Sequence, residues 1–331
     1  MVDERGSEQG GRLTGADLEL FKRSLRHATA HHSGAELDAA LSELGWHDAL
    51  QVDPHAAISL LFELQGSATV TSSALDHVLT GALGPDHATT SVVLPALGRW
   101  SPPGQLDRDH RLRVHGLGHA AMADADETLV VADRGDGPVA LVVPTADLEL
   151  RSIVGIDPSG RLVEVTAEPL DVTGVEPAPT AWGAGVALGQ LALAHELVGA
   201  SRTMLDLARE HALERIQFGR PISSFQAIRH RLAETLVAIE TADAVLAAAW
   251  EDRSPQTAAM AKALAGRGAR TAARHCQQVL AGIGFTTEHP LHLSIRRVLV
   301  LDELFGSALA LTRSLGQDLL DDRQLPPLLP L

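Results

Sequence analysis

The sequence predicts an α+β multidomain protein: an N-terminal helical domain, a middle antiparallel β domain and a C-terminal four-helix bundle. Three observations carry that expectation. Apolar residues recur at helical spacing from residue 15 to 85, give way near residue 88 to short β-rich pieces, and return to long helical periods from about residue 183. The expected boundaries are 1–87, 88–178 and 179–331, with residues 1–12 expected to be disordered.

In the first part, Thr14 stands where it can cap a helix, Asp17 follows three positions on, and Leu18, Leu20, Phe21 and Leu25 keep helical spacing. "ELGWHDAL" and "AAISLLFELQGSA" continue that period, with a glycine break between blocks. The middle part holds "TTSVVLPAL", "RLRVHGL", "ETLVVAD", "PVALVVP" and "RLVEVTAE", split by Gly, Pro and Asp. No helix-period crossover separates these pieces, so an antiparallel sandwich or barrel is expected rather than a doubly wound sheet. In the third part Leu188, Leu191, Ala194, Leu197 and Val198 set one apolar face that runs to a corner at residue 215. A second helix is expected from Ser223 or Ser224, and a third at "SPQTAA", with Ser254 as cap and Pro255 in the first helical position. "QQVLAGIGF" interrupts the helices with glycines before they resume.

Composition excludes several functions. Lys plus Arg number 27 against 42 Asp plus Glu, a net charge of −15 that would repel a phosphate backbone, so no nucleic-acid partner is expected. No apolar run reaches the roughly 18 residues a membrane span needs. The opening "MVDERGSEQGGR" has no apolar signal core, so a cytoplasmic protein is expected. Cys276 is the only cysteine, which rules out an internal disulfide or a Cys-rich metal site. His27, His31 and His32 could put two imidazoles on one helix face, yet no acidic or Cys companion stands at clear spacing, and no metal is expected. Neither a Gly-x-Ser-x-Gly elbow nor a phosphate-cradling Gly-x-x-x-x-Gly-Lys occurs.

The densest chemistry lies in "RIQFGRPISSFQ", residues 215–226. Taken singly, its residues are ambiguous. Arg215 at a helix end could simply complement the helix dipole, Phe218 and Phe225 read equally well as core, and a lone Gly-x-Gly is weak. The combination is more specific: Arg-x-x-Phe-Gly, then Phe-Gln, followed later by Gln-x-x-x-Gly-x-Gly and Glu-x-Pro in "CQQVLAGIGFTTEHP". In this order the motifs resemble the acyl-CoA dehydrogenase family of flavoproteins. The likeness is dense from residue 183 to about 310, looser over the sheet, and over the helical start one of arrangement.

The resemblance implies an acyl-CoA dehydrogenase-like fold, an acyl-CoA substrate and FAD as cofactor. In that family the two C-terminal motifs lie at a subunit interface and hold the far end of a flavin dinucleotide bound mostly by the neighbouring subunit. Arg215 would then offer a charged fork to the pyrophosphate or adenosine side. Gln217 and Phe218 would line the same pocket, and Gln278 and Gly282 would approach the adenosine half. Ala281-Gly282 departs mildly from the two adjacent glycines usual there.

Dehydrogenation needs a carboxylate to remove the proton alpha to the thioester carbonyl. The family places it in a Glu-Gly-Thr-like triplet after Glu-x-Pro, where this chain has Phe305, Gly306 and Ser307. A second family arrangement puts it on the helix before the corner, where this chain has Gly189 beside Gln190. Neither residue can accept a proton. The family stretch Thr-Glu-Pro-x-x-Gly-Ser, which binds the flavin ring, corresponds to "SVVLPALGRWSPPGQ", and a later flavin-facing segment to "GLGHAAMADADETLVVA", where "HAAM" supplies neither the aromatic nor the hydroxyl.

The resemblance therefore points to the smaller subunit of heterotetrameric (α2β2) bacterial acyl-CoA dehydrogenases of sterol side-chain type. It implies a paralogous acyl-CoA dehydrogenase partner and an FAD shared with it. Two alternatives stay open at this point: a flavin-free scaffold of the same fold, and a homomeric dehydrogenase whose base is relocated to Glu196, Asp302 or Glu303. Those acids otherwise read as solvated or salt-bridged, and His195 beside Glu196 reads as a polar helix face.

Overall fold

The computed structural model describes residues 13–83, 91–252 and 254–323, so the expectation for residues 1–12 lies outside the described residues. Five helices lead: α1 (Gly15–His31), α2 (Ala35–Glu43), α3 (Trp46–Val52), α4 (Pro54–Ala68) and α5 (Ala74–Leu83). Thr14 takes the extended N-cap conformation of α1, but its hydroxyl makes no capping bond. The working cap is at α4, where Asp53 accepts from the Ala56 amide at 3.1 Å with Pro54 in the first turn.

The middle part is a sheet of eight strands: β1 (Leu94–Pro95), β2 (Gly104–Leu106), β3 (Arg111–His119), β4 (Glu127–Asp133), β5 (Pro138–Pro144), β6 (Glu149–Ser152), β7 (Leu162–Asp171) and β8 (Ala178–Pro179). Its order is β6-β7-β3-β2-β4-β5-β8, with β1 added on β3. The antiparallel expectation holds for every described strand pair except β2–β4, which run parallel at Gly104↔Ala132. β2 lies between β3 and β4 in the sheet, antiparallel to the first and parallel to the second.

Side-chain alternation divides the sheet's burial in two. Val130, Ala132, Leu141 and Val143 join Leu112 and Val114 in a core within the β part. Leu129, Val131 and Ala140 face the other way and join the core of the helices. β4 thus reads as a nearly continuous apolar run because both its faces are covered.

The third part comprises α6 (Trp182–Glu214), the short hairpin strands β9 (Ile216–Gln217) and β10 (Arg220–Pro221), then α7 (Gln226–Asp252), α8 (Pro255–Leu280), α9 (Leu291–Glu303) and α10 (Ala308–Asp322). α7 begins at Gln226 rather than at Ser223 or Ser224, because Ile222–Ser224 first closes a tight 3-10 turn. Ser254 caps α8 as expected, accepting from the Thr257 amide at 3.2 Å. α6 is the central post, with every residue from Gly189 to Ser201 buried. It packs so closely on α4 that a Cβ on Gly66 would overlap the Glu196 carbonyl and one on Gly199 would overlap the Glu63 carbonyl. Among the described residues no helix is long and apolar enough to cross a membrane.

Candidate functional site

The corner after α6 is a tight two-strand hairpin, with Arg220 paired to Gln217 and Pro221 to Ile216. Its two turn residues, Phe218 and Gly219, both have positive φ, 53° and 78°, the geometry that matches strand twist in two-residue hairpins. Glycine takes that conformation freely, whereas Phe218 does so at a cost of roughly 1–3 kcal/mol. Burial does not recover that cost, since Phe218 is 92% exposed. Its ring meets Phe225 edge-on at 6.0 Å, and the Arg220 guanidinium lies 4.4 Å from the Phe225 ring centre. Arg215 and Gln217 are exposed on the same corner, the Gln217 amide turned back to the Ile216 carbonyl at 2.8 Å.

The second motif ends α8 and lies at the same end of the helices. Burial first, then His289 and Arg215, lowers the pKa of His211, so the end of α6 and the Glu-x-Pro stretch are electrostatic neighbours. Gln278 and Gly282 are exposed. The two glycines of the motif differ in role: a Cβ on Gly284 would press on the Gln277 carbonyl at 2.8 Å, whereas one on Gly282 would meet nothing within 4 Å. Gly284 therefore serves the turn, and Gly282 leaves open space in front of its backbone. Ile216 and Phe218 in the first motif and Phe285 in the second are exposed apolar side chains.

Near the other end of α6, far from the corner, the two positions that could carry a base face each other. The Phe305 ring is buried and packs against Gly189. Phe305 itself holds a left-handed φ of 55°. Its carbonyl accepts from Gln190 Nε2 at 3.1 Å. The neighbouring Gly306, at φ 96°, lies against Trp100, whose carbonyl accepts from Trp182 Nε1 at 3.0 Å. The Gly98 amide donates to the Glu303 carbonyl at 2.9 Å. The sheet turn at residues 95–101 and the helix turn at residues 302–306 thus touch directly.

Residues 183–320 match the family described as acyl-CoA dehydrogenase, C-terminal domain. Over 306 residues, 85% of this chain and 90% of the relative, the sequence is 32% identical to acyl-CoA dehydrogenase IpdE2 of Mycobacterium tuberculosis. The chain belongs to the acyl-CoA dehydrogenase family. Solved structures agree on the fold. The ChsE4-ChsE5 complex from Mycobacterium tuberculosis superposes with a TM-score of 0.77 at 19% identity, covering 95% of this chain and 99% of that one. A variant of the Tcur3481-Tcur3483 steroid ACAD gives 0.76 at 21%, covering 92% and 98%.

Against the acyl-CoA dehydrogenase fold, the acids that sequence alone left as alternative bases can be placed. Glu196 is buried, with Arg297 Nη1 3.3 Å from its Oε1. Arg297 Nε stands 2.9 Å from Asp157 Oδ2, in ion-pair contact but off the hydrogen-bond direction. Burial, partly countered by Arg297, pushes the Glu196 carboxyl up to about 7. The cavity it shares with His119, Asp157 and Arg297 measures about 40 Å³, room for about one water. Asp302 is buried, accepting from Arg270 Nε at 2.5 Å and from the Ala308 amide at 3.0 Å. Glu303 binds Arg270 at 3.0 Å. All three acids are committed to protein partners.

His195 is not on a polar face: it is buried and accepts from Trp250 Nε1 at 2.9 Å, and burial lowers its pKa to about 3. His31 Nδ1 lies 2.8 Å from the His27 carbonyl, and among the described residues no three His, Cys, Asp or Glu side chains are grouped to hold a metal. Sequence reasoning missed Lys262, Trp100 and the buried pair His119–Asp76, which are 2.7 Å apart. A lysine on the apolar face of an alanine-rich helix was the one available signal for Lys262.

Proposed function

We propose that this chain is a cofactor-completing subunit of a hetero-oligomeric acyl-CoA dehydrogenase, lacking a catalytic base of its own. A single juxtaposition carries the reading: the family's tail-gripping residues stand exposed on an outward corner, while both base positions are packed into one another by Gly189 and Phe305. When bound, FAD supplies the hydride acceptor for removal of hydrogen from the alpha and beta carbons of an acyl thioester.

Each chain residue has a task suited to its chemistry. Arg215 presents a fixed fork of donors to phosphate oxygens of a dinucleotide held by the partner. Gln278 offers an amide to the adenosine side, and Gly282 leaves its backbone open to close approach. Phe218, projected on a strained turn, is an aromatic anchor that excludes water from the seam. The partner, a paralogous family member, contributes the ring pocket and the base. The two-name complex among the structural neighbours supports such pairing, and the steroid enzyme among them favours a bulky, sterol-type acyl-CoA.

The test is co-expression with the paralogue encoded nearest to this chain. The pair should purify yellow with one flavin per unlike pair and should oxidise an acyl-CoA, while the chain alone should hold no flavin. Stoichiometric flavin on the isolated chain overturns the reading.

One observation favours a second reading, a self-sufficient dehydrogenase that uses Glu196: its carboxyl is held at about 7, inside the range of a working base. The roughly one-water cavity around it weighs against any thioester reaching it. Activity of the lone chain that Glu196→Gln abolishes would establish this alternative.

A further inference from the structure

The register of the β9–β10 hairpin decides which of its side chains share a face. Gln217 pairs with Arg220, and the Ile222 amide donates to the Arg215 carbonyl at 2.8 Å, so the ladder continues past the ends of the two strands. Side chains alternate along a strand, and cross-strand partners lie on the same side. Arg215, Gln217 and Arg220 therefore stand on one face of the hairpin, with Ile216 and Pro221 on the other. On that face Arg215 and Arg220 are diagonal neighbours, a relation that sets residues ~7–8 Å apart and within reach of long side chains.

Both arginines are exposed, and among the described residues neither has an ion-pair partner, although the chain carries 42 acidic residues. Two like charges on one face repel, and an anion between them relieves the repulsion. Arg220 is also held in place. Its guanidinium lies 4.4 Å from the centre of the Phe225 ring, which itself meets Phe218 edge-on at 6.0 Å. Stacking occupies the flat face of a guanidinium and leaves its in-plane N–H donors free, the edge that binds phosphate oxygens in pairs. Phe225 is half-buried and leads directly into α7, so the platform is fixed to a helix. Less side-chain freedom is then lost when a ligand arrives.

We propose that Arg220, seated on the Phe225 ring, completes with Arg215 a two-guanidinium clamp for a diphosphate. The charges match, since each phosphate of a dinucleotide carries one negative charge for one guanidinium. Neither Gln278 nor Gly282 brings a cation, so without Arg220 the site would hold a single positive charge on a chain whose net charge is −15. That the diphosphate belongs to a flavin dinucleotide held by the partner rests on the proposed function. The pairing of the two arginines is a property of this chain alone.

The full-length chain by itself tests the clamp, with inorganic pyrophosphate as the probe in an NMR titration at low salt, where exposed charges are least screened. Wild type should bind it, and Arg220→Ala should bind at least about tenfold more weakly. Phe225→Leu should weaken binding at least about threefold while Arg220 is present and have no effect beside Arg220→Ala, because the ring acts only through the guanidinium. No binding by wild type, unchanged binding by Arg220→Ala, or an equal effect of Phe225→Leu in both backgrounds overturns the clamp. Coenzyme A also carries a diphosphate, and the co-expressed complex distinguishes the two sources. There Arg220→Ala should weaken FAD binding at least about tenfold and leave coenzyme A, and riboflavin with no phosphate, bound as in wild type. Unchanged FAD binding overturns the flavin assignment, whatever coenzyme A does. Flavin per unlike pair is counted on wild-type protein, so a failed clamp and a failed subunit reading give different results.

Discussion

Gly189 and Phe305 compete for one space: a Cβ built on Gly189 would lie 3.2 Å from Phe305 Cε1 and 3.4 Å from its Cζ. The two positions where the family can carry a base are therefore neighbours in space, on α6 and on the turn before α10. With phenyl on one, the other has room for hydrogen. Restoring a carboxylate at one position alone should fail. Gly189→Glu is expected to overpack the site and lower unfolding free energy by ~1–3 kcal/mol in a urea titration, without creating activity. An equally stable Gly189→Glu protein would contradict the packing.

Arg215 and Gln278 are exposed and hold no part of the core. The double replacement Arg215→Ala with Gln278→Ala should leave the melting temperature of the lone chain unchanged. In the complex with its partner, the same variant should lose flavin on gel filtration while wild type retains it. Full retention would leave the corner as helix punctuation.

Glu196 makes stability depend on pH with a definite sign. Its folded pKa, about 7, lies above its ordinary value of 4.5, so the folded state holds the proton more tightly than the unfolded chain. The resulting stabilisation is complete below the ordinary value and is lost as pH rises through about 7. At about 1.4 kcal/mol per pKa unit, the loss approaches roughly 3 kcal/mol. His119 adds in the same direction: burial opposes its charge, but Asp76 together with Asp38 and Glu196 outweighs burial and raises its pKa. His77 and His195, lowered by burial to about 4 and about 3, act oppositely and at lower pH. Comparing Glu196→Gln with wild type across this range isolates the carboxyl, and parallel stability curves for the two would refute its role.

The contact of α4 with α6 depends on Gly66 and Gly199, each facing a backbone carbonyl of the other helix with no room for a methyl group. Gly199→Ala gains helix propensity of about 1 kcal/mol, so in an isolated helix it would stabilise. In the folded protein it must push the helices apart and is expected to cost ~1–3 kcal/mol net. Because Glu196 and the Arg202–Glu63 ion pair lie at this crossing, the variant should also alter the pH profile described above. Thermal unfolding of Gly199→Ala at two pH values checks both effects.

Much of the architecture was written in local pattern. Apolar period distinguished helices from strands, Ser254-Pro255 marked a helix start, and the spacing of Arg215, Phe218, Gln278 and Gly282 pointed to one family. Those signals are short-range, because they follow from backbone geometry within a few residues. Sequence also specified the residue types at both base positions, but not that they touch. Only packing of α6, α8 and the 302–306 turn against the sheet brings Phe305 onto Gly189, buries Lys262 under its carbonyls, and moves His195 and Glu196 from an expected polar face into the interior. A helix surrounded on all sides has no solvent face for its polar residues to mark, so the pattern of α6 could not reveal its partners; the tertiary arrangement decided them, through long-range contacts that no spacing along the chain records.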